Sequence, residues 1–184
     1  DVTDACQFLL ETLGYESQVW NNSKNFIENV DLLTEGIVLL DMRMPEIDGR
    51  QVYKKLLDAH STLAVIFLSA HGDIPMAVEQ MKFGAIDFLQ KPIDSQSLIN
   101  ALAHAEIATR KATQKYINMQ RYHSLTPREK NICAYVIQGM LNREIADVAC
   151  VSVRTVEVHR SRVMEKMAVK NIAELVNIMQ SVNI

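Results

Sequence analysis

Six consecutive apolar residues, Leu63-Ala-Val-Ile-Phe-Leu68, form a run with no polar face. A strand with one wet side alternates apolar and polar residues, so an unbroken run points to a strand covered on both faces, as in a parallel α/β sheet. Gly36-Ile-Val-Leu-Leu40 has the same character. Weaker strands are predicted at Tyr15 to Trp20 and Asp87 to Leu89, each preceded by a glycine, Gly14 or Gly84, where a helix would end. Between these lie Thr3 to Leu13, Ser23 to Leu33, Arg50 to His60 and Ile74 to Phe83, with apolar residues at three-and-four spacing. The first half is therefore expected to be α/β, with four helices covering a four-stranded sheet.

From Ser95 the pattern stays helical. Leu98, Leu102 and Ala105 mark one face, after which Thr109 to Tyr116 turns polar, and no proline or glycine interrupts residues 93 to 126. Residues 1–105 thus read as one domain, 106–122 as a semi-rigid helical linker and 123–184 as a second domain. That second domain opens at Leu125-Thr-Pro-Arg-Glu129, where Thr126 as N-cap, Pro127 at the first helical position and Glu129 reaching back make a capping box. Only helices follow, over about 127–138, 142–149, 152–167 and 172–180, so this half is all-α.

Charge divides the chain in the same place. Residues 1–105 hold 7 Lys/Arg against 15 Asp/Glu, residues 106–122 hold 4 against 1, and residues 123–184 hold 8 against 6. An acidic half suited to a cation is joined to a half that tolerates a polyanion. The longest apolar run is six residues, far short of the roughly 18–20 a membrane-spanning helix needs. No membrane partner is expected. Cys6, Cys133 and Cys150 are an odd, widely spaced set, which suits free thiols in a reducing cytoplasm better than a disulfide or zinc framework.

Asp41 directly follows the run Gly36 to Leu40, and ligands of open α/β sheets bind at the carboxyl ends of strands. Ser69 closes the next strand and Lys91 follows the last. A carboxylate, a hydroxyl and an ammonium at three strand ends suit formation of an acyl phosphate, with the cation offsetting charge on the transferring oxygens. A haloacid-dehalogenase-type phosphatase also uses a strand-end aspartate, but needs a second acid two positions on, where this chain has Arg43.

Leu39-Leu-Asp-Met-Arg-Met-Pro-Glu-Ile-Asp-Gly49, Ser69-Ala70 and Lys91-Pro92, at these intervals, resemble the receiver domain of two-component response regulators. The resemblance implies a flavodoxin-like sheet, phosphorylation of Asp41 by a sensor histidine kinase, and Mg²⁺ held in part by Asp41 and the Arg43 backbone carbonyl. Ser69 and Lys91 would contact the phosphate, and Phe88 would turn inward as the readout, although Phe88 also suits a plain core position. Receivers begin with a strand that ends in an acidic pair. Here that pair is expected to lie before Asp1, with the first strand absent from the chain.

In the second half, Asn142 to Ala149, then Cys-Val, then Ser152 to Arg162 reads as helix, tight turn, helix, with Ser152 as the second N-cap. Val156, Val163 and Met167 fall on one face, which turns Arg154, Glu157, Val158, Ser161 and Glu165 outward. Such a face fits a major groove, while Arg160, Arg162, Lys166 and Lys170 could meet phosphates. Leu125-Thr-Pro-Arg-Glu129, Gly139, Asn142-Arg-Glu-Ile-Ala146 and Arg154-Thr-Val-Glu-Val-His-Arg160 resemble the LuxR-type helix-turn-helix, with Thr155 inside the matching stretch. The resemblance keeps His159 beside the backbone rather than on a metal. Together the halves resemble the FixJ-like subgroup of response regulators. That implies a phosphorylation-controlled DNA-binding regulator, an activator rather than an enzyme, that forms a homodimer and works with RNA polymerase. The alternative is a receiver that takes no phosphate and serves only as a dimerisation platform.

Overall fold

The computed structural model describes residues 2–70 and 74–182. They form two compact units, Asp1–Thr113 and Gln114–Ile184. No described helix is long and apolar enough to cross a membrane.

In the first unit the described strands are β1 (Ile37–Asp41), β2 (Ala64–Ser69) and β3 (Asp87–Gln90), parallel and in the order β1-β2-β3. Every residue of β2 is buried, as its unbroken apolar run requires. Side chains alternate across a sheet: Ala64, Ile66 and Leu68 enter one core with Leu98, Leu102 and the partly buried Leu9 and Leu10, while Val65 and Phe67 enter the other with Val52, Leu56 and Phe26. The first core is closed by α1 (Val2–Thr12) and α5 (Ser95–His123), the second by α2 (Ser23–Asn29) and α3 (Gly49–Asp58); α4 (Ile74–Lys82) packs beside β3.

Tyr15 to Trp20 is not a strand. Strands exist only through ladder bonds, and no described strand flanks this segment, since the described sheet ends at β1. The chain instead turns at Gly14 (φ +85°), Tyr15 N donates to Leu10 O at 2.9 Å, and Tyr15 Oη donates to Glu106 at 2.6 Å. That bond is the main reason the Tyr15 hydroxyl is pushed up to about 12. Helix α2 stops short of Leu33 because Val30 is already extended and Asp31 accepts from Leu33 N. Asp1 lies outside the described residues.

Helix α5 continues through the stretch expected to be linker, and its packing on the sheet continues with it. Buried Thr109 accepts from Gly36 N at 3.0 Å and donates to Thr62 O at 2.8 Å, joining the lead-ins of β1 and β2. The second unit holds α6 (Pro127–Ile137), α7 (Asn142–Ala149), α8 (Val153–Lys166) and α9 (Ile172–Ser181) around Ile132, Ile145, Val156, Val163, Met167 and Leu175. The capping box of Thr126 and Glu129 is present.

Thr109→Val keeps the shape but leaves a backbone donor and acceptor without a partner. We expect a loss of about 1–3 kcal/mol, read from urea denaturation by the fluorescence of Trp20, the chain's single tryptophan. An unchanged midpoint would contradict the bridging role.

Candidate functional site

Parallel strands bring their carboxyl ends to one edge. Asp41 ends β1, Ser69 ends β2 and Lys91 follows β3, with Lys91 N donating to Ser69 O at 2.8 Å. Lys91 Nζ donates to Asp41 Oδ2 in a partly exposed ion pair, and Arg43 N donates to Asp41 Oδ1 at 3.0 Å. Ser69 does not join them: it is buried, and its Oγ donates to Ala70 O at 3.2 Å. The loop after Asp41 is held close by Gly49, whose N donates to Met42 O at 3.1 Å; a Cβ there would stand 2.4 Å from Asp41 O. Phe88, three residues before Lys91, packs partly buried against the core of α2 and α3. It also borders a cavity of about 480 Å³ lined by Ala77, Val78, Met81, Lys82 and Asp87.

In the second unit, α7 ends at Cys150, whose left-handed backbone (φ 52°, ψ 49°) makes the tight turn, and Ser152 accepts from Thr155 N to cap α8. Val156, Val163 and Met167 are buried, and Arg154, Glu157, Val158, Ser161, Arg162, Glu165 and Lys170 are exposed. Arg154 lies 3.6 Å from Glu157, and Arg160 donates to Asn142 Oδ1 at 2.8 Å. Arg128 donates to Ala149 O at 2.9 Å, tying α6 to the turn. The partly buried His159 has its Nδ1 buried with no hydrogen-bond partner among the described residues.

Residues 1–103 match the family model of the response regulator receiver domain, and residues 123–179 that of the bacterial regulatory proteins of the luxR family. The chain belongs to the response regulators with a LuxR-type DNA-binding domain. It is 50% identical to the tetrathionate response regulatory protein TtrR of Salmonella typhimurium, over 95% of this chain and 85% of that protein. It is 35% identical to the transcriptional regulatory protein FixJ of Bradyrhizobium diazoefficiens, over 95% and 87%. The solved structure of the response regulator StyR covers 96% of this chain and 91% of its own at 34% identity, with a TM-score of 0.66.

Receiver domains typically bind Mg²⁺, an ion that takes oxygen ligands and retained waters. Among the described residues no group of three or more His, Cys, Asp or Glu could hold a metal ion, and both Asp41 oxygens already accept, from Lys91 and Arg43. The described residues of the receiver therefore do not by themselves make such a site.

Lys166, expected from its charge to meet DNA phosphate, is committed inside the LuxR-type domain: it donates to Glu129 Oε2 at 2.7 Å and to Ser124 O at 3.4 Å. Glu129 is buried, so its carboxylate needs that ammonium. The pairing carries no local sequence signal, because the two residues are 37 positions apart. Lys166, followed by the Thr126 bonds, holds the Glu129 carboxyl below its usual range. A carboxyl depressed in the folded state stabilises above its unfolded value near 4.3, and that contribution is lost as pH falls through the folded value.

Lys166→Ala should accordingly destabilise the DNA-binding domain by about 1–3 kcal/mol, reduced from the fully buried case because Lys166 is partly exposed. Thermal melts between about pH 5 and about pH 3 should show a fall in stability that Glu129→Gln makes shallower. A Lys166→Ala protein of unchanged stability with a reduced salt slope in DNA binding would restore the phosphate-contact reading.

Proposed function

We propose that this response regulator carries its phosphoryl group on Asp41, received from a sensor histidine kinase, and that phosphorylation controls DNA binding by the second domain. The carrying observation is the Asp41–Lys91 ion pair, which spans the carboxyl ends of β1 and β3 and is partly exposed to solvent. A carboxylate oxygen of Asp41 attacks the donor's phosphorus, the donor bond breaks, and the leaving group departs with its proton. Lys91 then moves from the carboxylate to the phosphoryl oxygens, whose charge of about −1.5 to −2 replaces the single negative charge that the carboxylate gave up on forming the acyl phosphate. Ser69, whose hydroxyl now serves only a neighbouring carbonyl, turns to the phosphate, and Phe88 has room beside its cavity to follow.

The outward face of α8 reads DNA: Arg154, Thr155, Glu157, Val158 and Ser161 supply base-edge contacts, and Arg160, Arg162 and Lys170 meet phosphates. A phosphate-dependent dimer formed through α4, β3 and the start of α5 would pair two readers on paired half-sites. As an activator it would then work with RNA polymerase. The 50% identity to the tetrathionate response regulatory protein supports a role in the tetrathionate response.

Full-length protein given a small-molecule phosphodonor and Mg²⁺ should gain one acid-stable, base-labile phosphate, absent from Asp41→Asn because an amide is no nucleophile here. Undiminished labelling of that variant would refute the assignment.

Substituting Val158 or Glu157 should change which base pairs are selected, each lost contact being worth about 1–3 kcal/mol, whereas Lys170→Ala should lower the salt slope by about one unit for all sequences. Binding-site selection with a salt titration checks both. Unchanged selection by the Val158 and Glu157 variants would remove them from the reading face.

A further inference from the structure

Helix α7 turns to solvent two large apolar side chains that neither the core nor the recognition helix uses. Leu141, its N-cap, is 68% exposed and Val148 near its end is 56% exposed; among the described residues of the second unit no other large apolar side chain exceeds 38%. Neither holds the domain together. Ile145 and Ala146 fill the core from the other side of α7, and at Leu141 the cap is made by the backbone N–H, which donates to Glu144 Oε2 at 2.7 Å. One exposed leucine alone needs no explanation. Positions 141 and 148, however, are two turns apart, which returns a helix to nearly the same direction about 10 Å along its axis. At about 100° per residue, Leu141, Glu144 and Val148 share a sector of about 60° with Asp147 at its edge, whereas Arg143 lies about 160° from Leu141.

Charge narrows what can cover this sector. The turn at Cys150 joins α7 to α8, and Arg160 of α8 donates to Asn142 of α7, so whatever lies on the duplex beside the recognition helix comes within reach of α7. The duplex itself is a poor match, because phosphate repels carboxylates and both Glu144 and Asp147 are exposed. A protein seated on the adjoining DNA is a good match. It carries lysine and arginine toward the phosphates it holds, and cations at the edge of that surface meet the acidic rim while an apolar side chain meets Leu141 and Val148. Such a contact can be small, since two proteins on one DNA molecule meet as if within one molecule.

We propose that the outer face of α7, Leu141 and Val148 with Glu144 and Asp147, is the surface that receives RNA polymerase, through a basic domain of the polymerase bound to the DNA next to the operator. The proposal rests on the reading of this chain as a DNA-binding activator. Transcription by purified polymerase from a promoter carrying the operator tests it, with full-length protein, phosphodonor and a footprint of the operator in the same reactions. Leu141→Ser, Val148→Ser and Asp147→Lys should protect the operator as wild type does, yet each should lower transcript yield about tenfold, while Asp147→Glu keeps it. All three positions are exposed, and circular dichroism checks that each variant stays folded. Equal stimulation by wild type and the variants would overturn the surface and leave the activator reading standing. Wild type that protects the operator without stimulating transcription would overturn both. Operator protection lost in step with transcription would give the face to DNA, and a smaller assembly in sedimentation of the variants would give it to a second copy of the chain; either result also overturns the proposal.

Discussion

The ion pair of Lys91 with Asp41 is the contact on which the proposed phosphotransfer turns. It joins the ends of β1 and β3 across β2, so it exists only because the three strands are parallel and in register. The buried β2, covered on both faces, is what keeps those ends together. Gly49 brings the following loop within a distance of the Asp41 backbone that no side chain would allow. The result is a partly exposed carboxylate that accepts from one cation and one backbone amide, the group that the proposed phosphotransfer uses as its nucleophile. Ser69 and Phe88 lie apart from the pair, the first with its Oγ donating to the carbonyl of Ala70 and the second packed on the core of α2 and α3 beside an open cavity.

In the DNA-binding domain a second carboxylate–ammonium pair has the opposite fate. Glu129 is buried and doubly employed, capping α6 and anchoring Lys166 at the end of α8. With that lysine committed inward, the exposed cations of the recognition helix reduce to Arg154 and Arg162, with Lys170 just beyond it. One pair is partly exposed on both sides; the other ties the end of α8 to the start of α6 through a buried carboxylate. The difference is burial, since removing one partner of a buried pair strands the other.

Much of this was legible in the residues. The unbroken run Leu63 to Leu68 specified a strand buried on both faces, and Asp41, Ser69 and Lys91 stood out because each stands at the carboxyl end of an apolar strand. The Thr126–Glu129 capping box and the burial of Val156, Val163 and Met167 followed from short-range spacing. What spacing could not show was long-range pairing. Tyr15 to Trp20 has strand composition, but composition supplies no neighbour. Lys166 has the charge of a phosphate contact, and only the fold reveals Glu129 beneath it. Thr109, in a stretch that turns polar, gives no hint that its hydroxyl bridges residues 36 and 62.

The central claim is that one carboxylate at a strand end governs DNA binding by a separate domain. Quantitative footprinting of the full-length protein on its operator, with and without phosphodonor, tests it when wild type and Asp41→Asn are compared side by side. The account predicts tighter protection by wild type in the presence of the donor and no response from the variant. Equal tightening of both proteins, or no response from wild type while Asp41 is shown to be phosphorylated, would contradict it.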